Sequence, residues 1–227
     1  MGHKMYFTVT DNMCGHNRTI KPSGVLDILQ SVAGEHAEIL GIGYEALKEK
    51  GYAFVLARIK YDLYKPIHYY QEIMVETTPL VPGRIDFDRD FEIYDKETLE
   101  LIGIASSKWI IIDLNTRKIC RSNVFTYPCE QRVEGNYSSF DKLAFDDSLL
   151  DNEYYYSVRN NDIDFLGHMN NTRYADALIL NNSVKHFEIN FINEVKLNEV
   201  LNIKHDYKNY VGYCNEKVSF KANCIYF

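Results

Sequence analysis

The chain carries one pattern twice, and that restricts it to folds in which two like units pack together. Near the start, YFTVTDN followed by MCGHN parallels YYSVRNNDIDFLGHMN in the second half, with a three-residue gap. A helix is expected after both. Further on, Ile59–Pro66 parallels Phe187–Glu194, and Gln71-Glu72-Ile73 parallels Asn198-Glu199-Val200. Each copy therefore reads as strand, loop, helix, strands. One copy's strands would not cover its helix on both sides, so the two copies are expected to share one continuous sheet.

The first copy gives the clearer signals. Pro22-Ser23-Gly24 opens a helix in which Val25, Leu26, Ile28, Leu29, Val32, Ala33, Ala37 and Leu40 recur at three- and four-residue steps, up to Gly41. A short helix follows over Tyr44–Lys50. Strands are then expected at Phe54–Tyr64, Glu72–Thr78, Ile85–Tyr94, Glu100–Asp113 and Lys118–Cys120, set apart by Pro66, Pro79, Pro82-Gly83, Asp95-Lys96 and Asn115-Thr116. Pro128–Leu150 is polar and irregular and reads as a linker. Beyond it come a strand at Tyr154–Arg159, a helix over about Asn171–Lys185, and strands at His186–Asn193, Val200–Tyr207 and Glu216–Tyr226. The expected class is α+β, with two long helices each wrapped by a shared antiparallel sheet. The expected units are an N-terminal one, 1–127, the linker, 128–150, and a C-terminal one, 151–227.

Composition narrows the function. A net charge of −7 with no long basic run argues against nucleic-acid binding. The five cysteines form no CxxC, which points to neither a disulfide framework nor a metal site and favours a reducing, cytoplasmic setting. No apolar run approaches the ~20 residues of a membrane span, and the polar start shows no signal peptide.

The densest polar cluster is Asn160–Tyr174, between a strand and a helix. Gly167 permits a sharp turn there. Asn170 or Asn171 can cap the helix, whose first N–H groups would then face an anionic oxygen. Taken alone, this stretch also fits a plain capped helix after an Asx-rich turn. The repeat adds direction: the second copy holds Asp162, Asp164, His168 and Glu194, whereas the first has Asn12, His16 and, opposite Glu194, Pro66. Proline is neither a base nor a ligand, so a single site belongs in the second copy. Glu35 and His36 on the first helix read as structural or pocket-lining, and Trp109 as packed on its strand.

DIDFLGHMNNTRY resembles the DxDxxGHxNNxxY signature of hotdog thioesterases. With LQSVAGEHAEILG, AFVLARIKYDLYKPI, RDFEIYD and ASSKWIIIDLNTRK, the chain resembles the acyl-ACP thioesterase family in its short bacterial form, over nearly its whole length. The resemblance implies a tandem hotdog fold and hydrolysis of fatty acyl-ACP to free fatty acid and acyl carrier protein. It places the catalytic residues at Asp164, His168 and Glu194, with Asn170 and Asn171 on the substrate or oxyanion side. It implies no cofactor and no metal.

The family's asparagine between the Asp and the His falls on Leu166, and the cysteine seen beside the acid in some members falls on Val195. In the implied mechanism Glu194 activates water or attacks directly, His168 and the helix-start N–H groups hold the carbonyl, and Asp164 orients His168 or holds the loop. The implied partner is acyl carrier protein, which is acidic and would dock on basic surface, with Arg173 and Lys108–Arg121 as candidates. No nucleic acid and no membrane insertion are expected, and homo-oligomerisation is left open. An acyl-CoA thioesterase and a catalytically silent acyl-binding hotdog protein are the competing readings, the second favoured by Leu166.

Overall fold

The computed structural model describes residues 2–132, 140, 143–180 and 182–227. Ten strands form one antiparallel sheet in the order β1-β3-β4-β5-β2-β7-β10-β9-β8-β6. The first copy supplies β1 (His3–Thr8), α1 (Pro22–Ile39), α2 (Tyr44–Glu49), β2 (Tyr52–Leu63), β3 (Glu72–Pro79), β4 (Asp86–Asp95) and β5 (Leu101–Asp113). The second supplies β6 (Asn152–Ser157), α3 (Asn171–Asp176), β7 (Val184–Phe191), β8 (Val200–His205), β9 (Asn209–Cys214) and β10 (Lys217–Tyr226). The order reads identically outward from the β2–β7 junction, so the copies meet about a local two-fold axis. There Ile59 pairs with Ile189 and Tyr61 with Phe187, whose rings stack at 6.0 Å.

Why α1 sits in the hollow of the sheet follows from its sequence. Val25, Leu26, Ile28, Leu29 and Val32 form its buried stripe, all at 2% exposure or less. They pack with Val75, Phe91, Ile93 and Ala105 in a core that continues into Phe187, Ile203, Tyr210 and Phe220 of the second copy. Each such aliphatic contributes ~1.5–3 kcal/mol on burial. No helix among the described residues is long and apolar enough to cross a membrane.

The repeat is tighter than the sequence suggested. The expected three-residue gap is not there. His3 to Asn152, Asp11 to Asn160 and Pro22 to Asn171 are the same distance apart in the chain. Arg18 and Gly167 take the same left-handed backbone, φ 60° and 83°. The bridges Cys14–Ile20 and Thr19–His68 match Ile163–Met169 and His168–Lys196. His168 therefore corresponds to Thr19, not to His16, while the pairing of Glu194 with Pro66 holds.

Three further expectations are corrected. The second helix stops at Asp176 rather than continuing to Lys185. Tyr154 and Tyr210 donate their hydroxyls to the carbonyls of Ala177 (2.6 Å) and Ile179 (2.7 Å), taking acceptors that a longer helix would need. Lys118–Cys120 makes only a single bridge, Ile112 to Ile119. And β9 was unforeseen. Its Gly212 weakens a strand signal, yet a Cβ there would overlap the Phe220 ring, so the ring occupies the space of the missing side chain. Residues 133–139 and 141–142 of the expected linker lie outside the described residues. Its described ends are fastened: Glu130 bridges Leu80, and Asp147 holds Tyr213 and Lys221.

Candidate active site

The loop from Asp164 to Asn170 is built on its own backbone. Asp164 Oδ1 accepts the N–H groups of Leu166 (2.9 Å) and His168 (3.2 Å), and the Asp164 N–H donates to the His168 carbonyl (2.9 Å). Asp164 thus holds the loop, the second of its two expected roles. Gly167 makes the left-handed turn at its tip. Asn170 caps α3, its Oδ1 accepting from Thr172 N (3.0 Å) and Oγ1 (3.1 Å). Its own N–H goes to Asp162, and the Arg173 N–H goes to the Asn170 carbonyl. The N–H groups of Thr172 and Arg173 are therefore already spoken for, and Asn170 does not line the cavity described next.

That loop presents His168 to Glu194. His168 Nε2 lies 3.1 Å from Glu194 Oε2, with 24% and 42% of the two side chains exposed. Glu194 is placed by the segment after β7, where the Met169 N–H donates to the Val195 carbonyl (2.7 Å) and ties that segment to the loop. A third group was missed from sequence. Arg117 brings one guanidinium nitrogen to 3.0 Å from both oxygens of Glu194. It sits on the turn after β5, in the first copy, with φ 58°. Asp113 fixes that turn by accepting from Asn115, Thr116 N and Thr116 Oγ1. Arg117 lies inside the basic stretch flagged as a docking surface, but nothing in the sequence tied it to Glu194. A carboxylate offers about four lone-pair sites. Arg117 and His168 take about three of them, which leaves one on Oε1.

These groups open on a cavity of about 540 Å³ lined from both copies. Leu166, His168 and Glu194, partly or well exposed, line it at the protein surface, and Asp164, Asn171 and the buried Tyr174 line it beside them. Gln30, Ala33, Gly34 and Ala37 of α1 form one wall. Leu56, Trp109 and Phe87, neighbours across β2, β5 and β4, lie beneath it, so the cavity crosses the sheet for roughly 10–15 Å at ~4.8 Å per strand. Its far side holds Tyr127, whose ring stacks on Phe87 at 6.2 Å, and Arg89, bonded to His36 (3.0 Å) and Thr77 (3.3 Å). Burial and the Arg89 guanidinium push His36 down to about 4. Glu35 pairs instead with His3 (2.9 Å) at the surface. At the mouth Phe165, 81% exposed, meets Tyr44 edge-on.

The corresponding place in the first copy is a smaller cavity of about 160 Å³ beside Gly15, Thr19 and Lys21. Gly15, Thr19 and Pro66 stand where the second copy has Asp164, His168 and Glu194, so those three positions carry neither acid nor imidazole, although His16 and Asp176 also line this cavity. Two of the expected docking cations are neutralised: Lys108 bonds Asp86 and Asp88, and Arg173 lies 2.7 Å from Asp176. Lys118 and Arg121 are exposed.

Two helix-bearing copies around one sheet, with a histidine–carboxylate pair at the mouth of an apolar cavity, define a double-hotdog protein. Solved structures share this fold. An acyl-ACP thioesterase from Bacteroides thetaiotaomicron superposes with a TM-score of 0.83 at 23% identity, covering 99% of this chain and 97% of that one. A 12:0-ACP thioesterase from Umbellularia californica gives 0.79 at 17%, covering 98% and 96%. The family model for the acyl-ACP thioesterase N-terminal domain matches residues 1–124, and the chain belongs to that family. Oleoyl-acyl carrier protein thioesterases from Coriandrum sativum and Arabidopsis thaliana are 27% and 29% identical to it over 191 and 194 residues, which is 77% and 76% of this chain. The chain spans about half the length of these curated relatives, 52% in each case.

Proposed function

We propose that this protein hydrolyses fatty acyl-ACP, releasing free fatty acid and the carrier thiol in fatty acid biosynthesis. The observation that carries the reading is the 3.1 Å contact of His168 with Glu194 at the entrance of the cavity. In this reading Glu194 is the general base. Its remaining acceptor site on Oε1 takes a water proton, while His168 and Arg117 hold the carboxylate in place. The water oxygen adds to the thioester carbonyl carbon. Asn171, on the cavity wall, stabilises the oxygen that gains the charge. The intermediate collapses by breaking the C–S bond, and the thiolate takes up the proton. Asp164 and Asn170 act through the loop and the helix cap.

The two copies divide the work. The first, 1–127, supplies most of the apolar wall for the acyl chain, and the second, 151–227, supplies the loop and the acid. Lys118 and Arg121 near the Arg117 turn are the cations we assign to carrier docking, because Lys108 and Arg173 are already paired. The five free thiols suit a cytoplasmic, reducing setting. Free-thiol release from matched palmitoyl-ACP and palmitoyl-CoA tests the assignment. The expected result is a kcat/KM at least tenfold higher on the ACP substrate. Comparable rates would make it an acyl-CoA thioesterase, and binding without release from either would make it an acyl-binding protein.

A further inference from the structure

The site as described has one weakness: it is short of donors for the carbonyl oxygen. The family's amide position is Leu166, which has no side-chain donor. Asn170 is committed to its cap, and the Thr172 and Arg173 N–H groups are paired. One unsatisfied donor lies just beneath the wall of the same cavity, on the opposite copy. Gln30 Nε2 is fully buried and has no hydrogen-bond partner, and Gln30 lines the cavity together with His168, Asn171 and Glu194. A buried amide without a partner is costly, and such a group beside a cavity is a natural place for a ligand to complete the bonding.

Its placement agrees. Ser23 and Lys21, at the start of α1, both reach Asp176 at the end of α3, at 2.6 and 3.3 Å. Asp27, one turn along α1, acts electrostatically on Arg173, nearer the start of α3. Passing along α1 therefore means passing back along α3 toward the catalytic loop, and Gln30, a turn beyond Asp27, comes level with Asn171. The rest of that face is small: Ala33, Gly34 and Ala37 line the cavity, and a Cβ built on Gly34 has nothing within 4 Å. The open space beside Gln30 is where an acyl chain continuing past its carbonyl would lie.

We propose that Gln30 is a catalytic residue of this thioesterase, its carboxamide turning about its last side-chain torsion so that Nε2 donates a hydrogen bond to the thioester carbonyl oxygen opposite Asn171. The inference rests on the hydrolase reading above. When water adds to the carbonyl carbon, the π pair moves onto that oxygen, and the Gln30 N–H, which transfers no proton, stabilises the charge. When the C–S bond breaks, the pair returns and the bond relaxes to its ground-state strength. The first copy, with Thr19 and Pro66 at the positions of His168 and Glu194, thus still contributes to the reaction through its helix.

The test uses the full-length protein, with Gln30→Met to remove the donor at similar size and Gln30→Glu as a second variant should the first not fold. Thiol release from palmitoyl-ACP should fall about 100-fold or more in kcat, with KM changed little, as for loss of one oxyanion donor. Two non-hydrolysable palmitoyl-pantetheine analogues give a readout that a merely structural residue would not move. One is a ketone with methylene in place of sulfur, and the other has methylene in place of the carbonyl. Wild type should bind the ketone about tenfold tighter, and the variants should lose that preference. A variant with kcat within threefold of wild type, or one that keeps the preference, overturns the Gln30 assignment alone. Wild-type protein that releases no thiol from any acyl-ACP overturns the hydrolase reading on which the assignment stands.

Discussion

A leucine at position 34 should shorten the acyl chains the protein accepts. Gly34 is exposed and lies on the cavity wall of α1 with free space around its Cβ position, so a new apolar side chain can turn into the cavity and leave water. Leucine adds about four carbon atoms. If these displace about four methylenes of substrate at ~0.8 kcal/mol each, long chains lose ~3 kcal/mol of binding, on the order of 200-fold in kcat/KM. Chains too short to reach that turn of the helix keep their rate. The fold should gain, since glycine in a helix interior costs ~1 kcal/mol relative to alanine. Gly34→Ala is the control: Tm should rise by about 2–4 °C, and the longest substrates should lose only about fourfold. The assay is thiol release across acyl-ACPs of graded length, with melting curves for both variants. Equal rates for Gly34→Leu and wild type at every length would refute the placement of the acyl chain along α1. So would a loss as large on the shortest chain as on the longest.

Acid stability should depend on His36. Burial and Arg89 hold it near 4, against an ordinary value of about 6.5. The folded protein therefore binds this proton less readily than the unfolded chain. The stabilisation is complete above pH ~6.5 and is lost as pH falls toward 4, by up to ~3 kcal/mol. His36→Asn, which keeps an acceptor for Arg89, should flatten the urea midpoint between pH 7 and 4.5; parallel curves would contradict this. Arg117→Met should lower kcat roughly tenfold by freeing Glu194. It should leave Tm nearly unchanged, because a half-exposed ion pair is worth ~0–1 kcal/mol; unchanged turnover would remove Arg117 from the site. Asn170→Ala should cost ~0.5–2 kcal/mol in denaturant melts through loss of the α3 cap, with activity falling along with it. A variant as stable as wild type would show that the cap does not hold the loop.

Much of this was legible in the residues because local chemistry decided it. Pro22, the three- and four-residue steps from Val25 to Val32, and the turn residues between strands fix α1 and β2–β5 without help from distant contacts. The pairing of Glu194 with Pro66 pointed to the second copy for the candidate site. What escaped depends on groups far apart in the chain. The end of α3 is set by two tyrosine hydroxyls from β6 and β9, β9 is built around Phe220 of β10, and the register of the repeat is set by bridges to His68 and Lys196. Arg117 and Gln30 escaped for the same reason. Each sits in the first copy within an ordinary turn or helix, and each gains its meaning only when the shared sheet brings it to the second copy's loop.

The pairing of Glu194 with His168 is tested most directly by single-turnover thiol release from palmitoyl-ACP with wild type and Glu194→Gln. Glutamine keeps the size of a 42% exposed side chain and one of its two acceptor oxygens, and an ion pair this exposed adds little to stability, so folding and carrier binding should be retained while turnover falls about 100-fold or more. A Glu194→Gln protein that releases thiol at nearly the wild-type rate would contradict the proposal that this carboxylate activates the water.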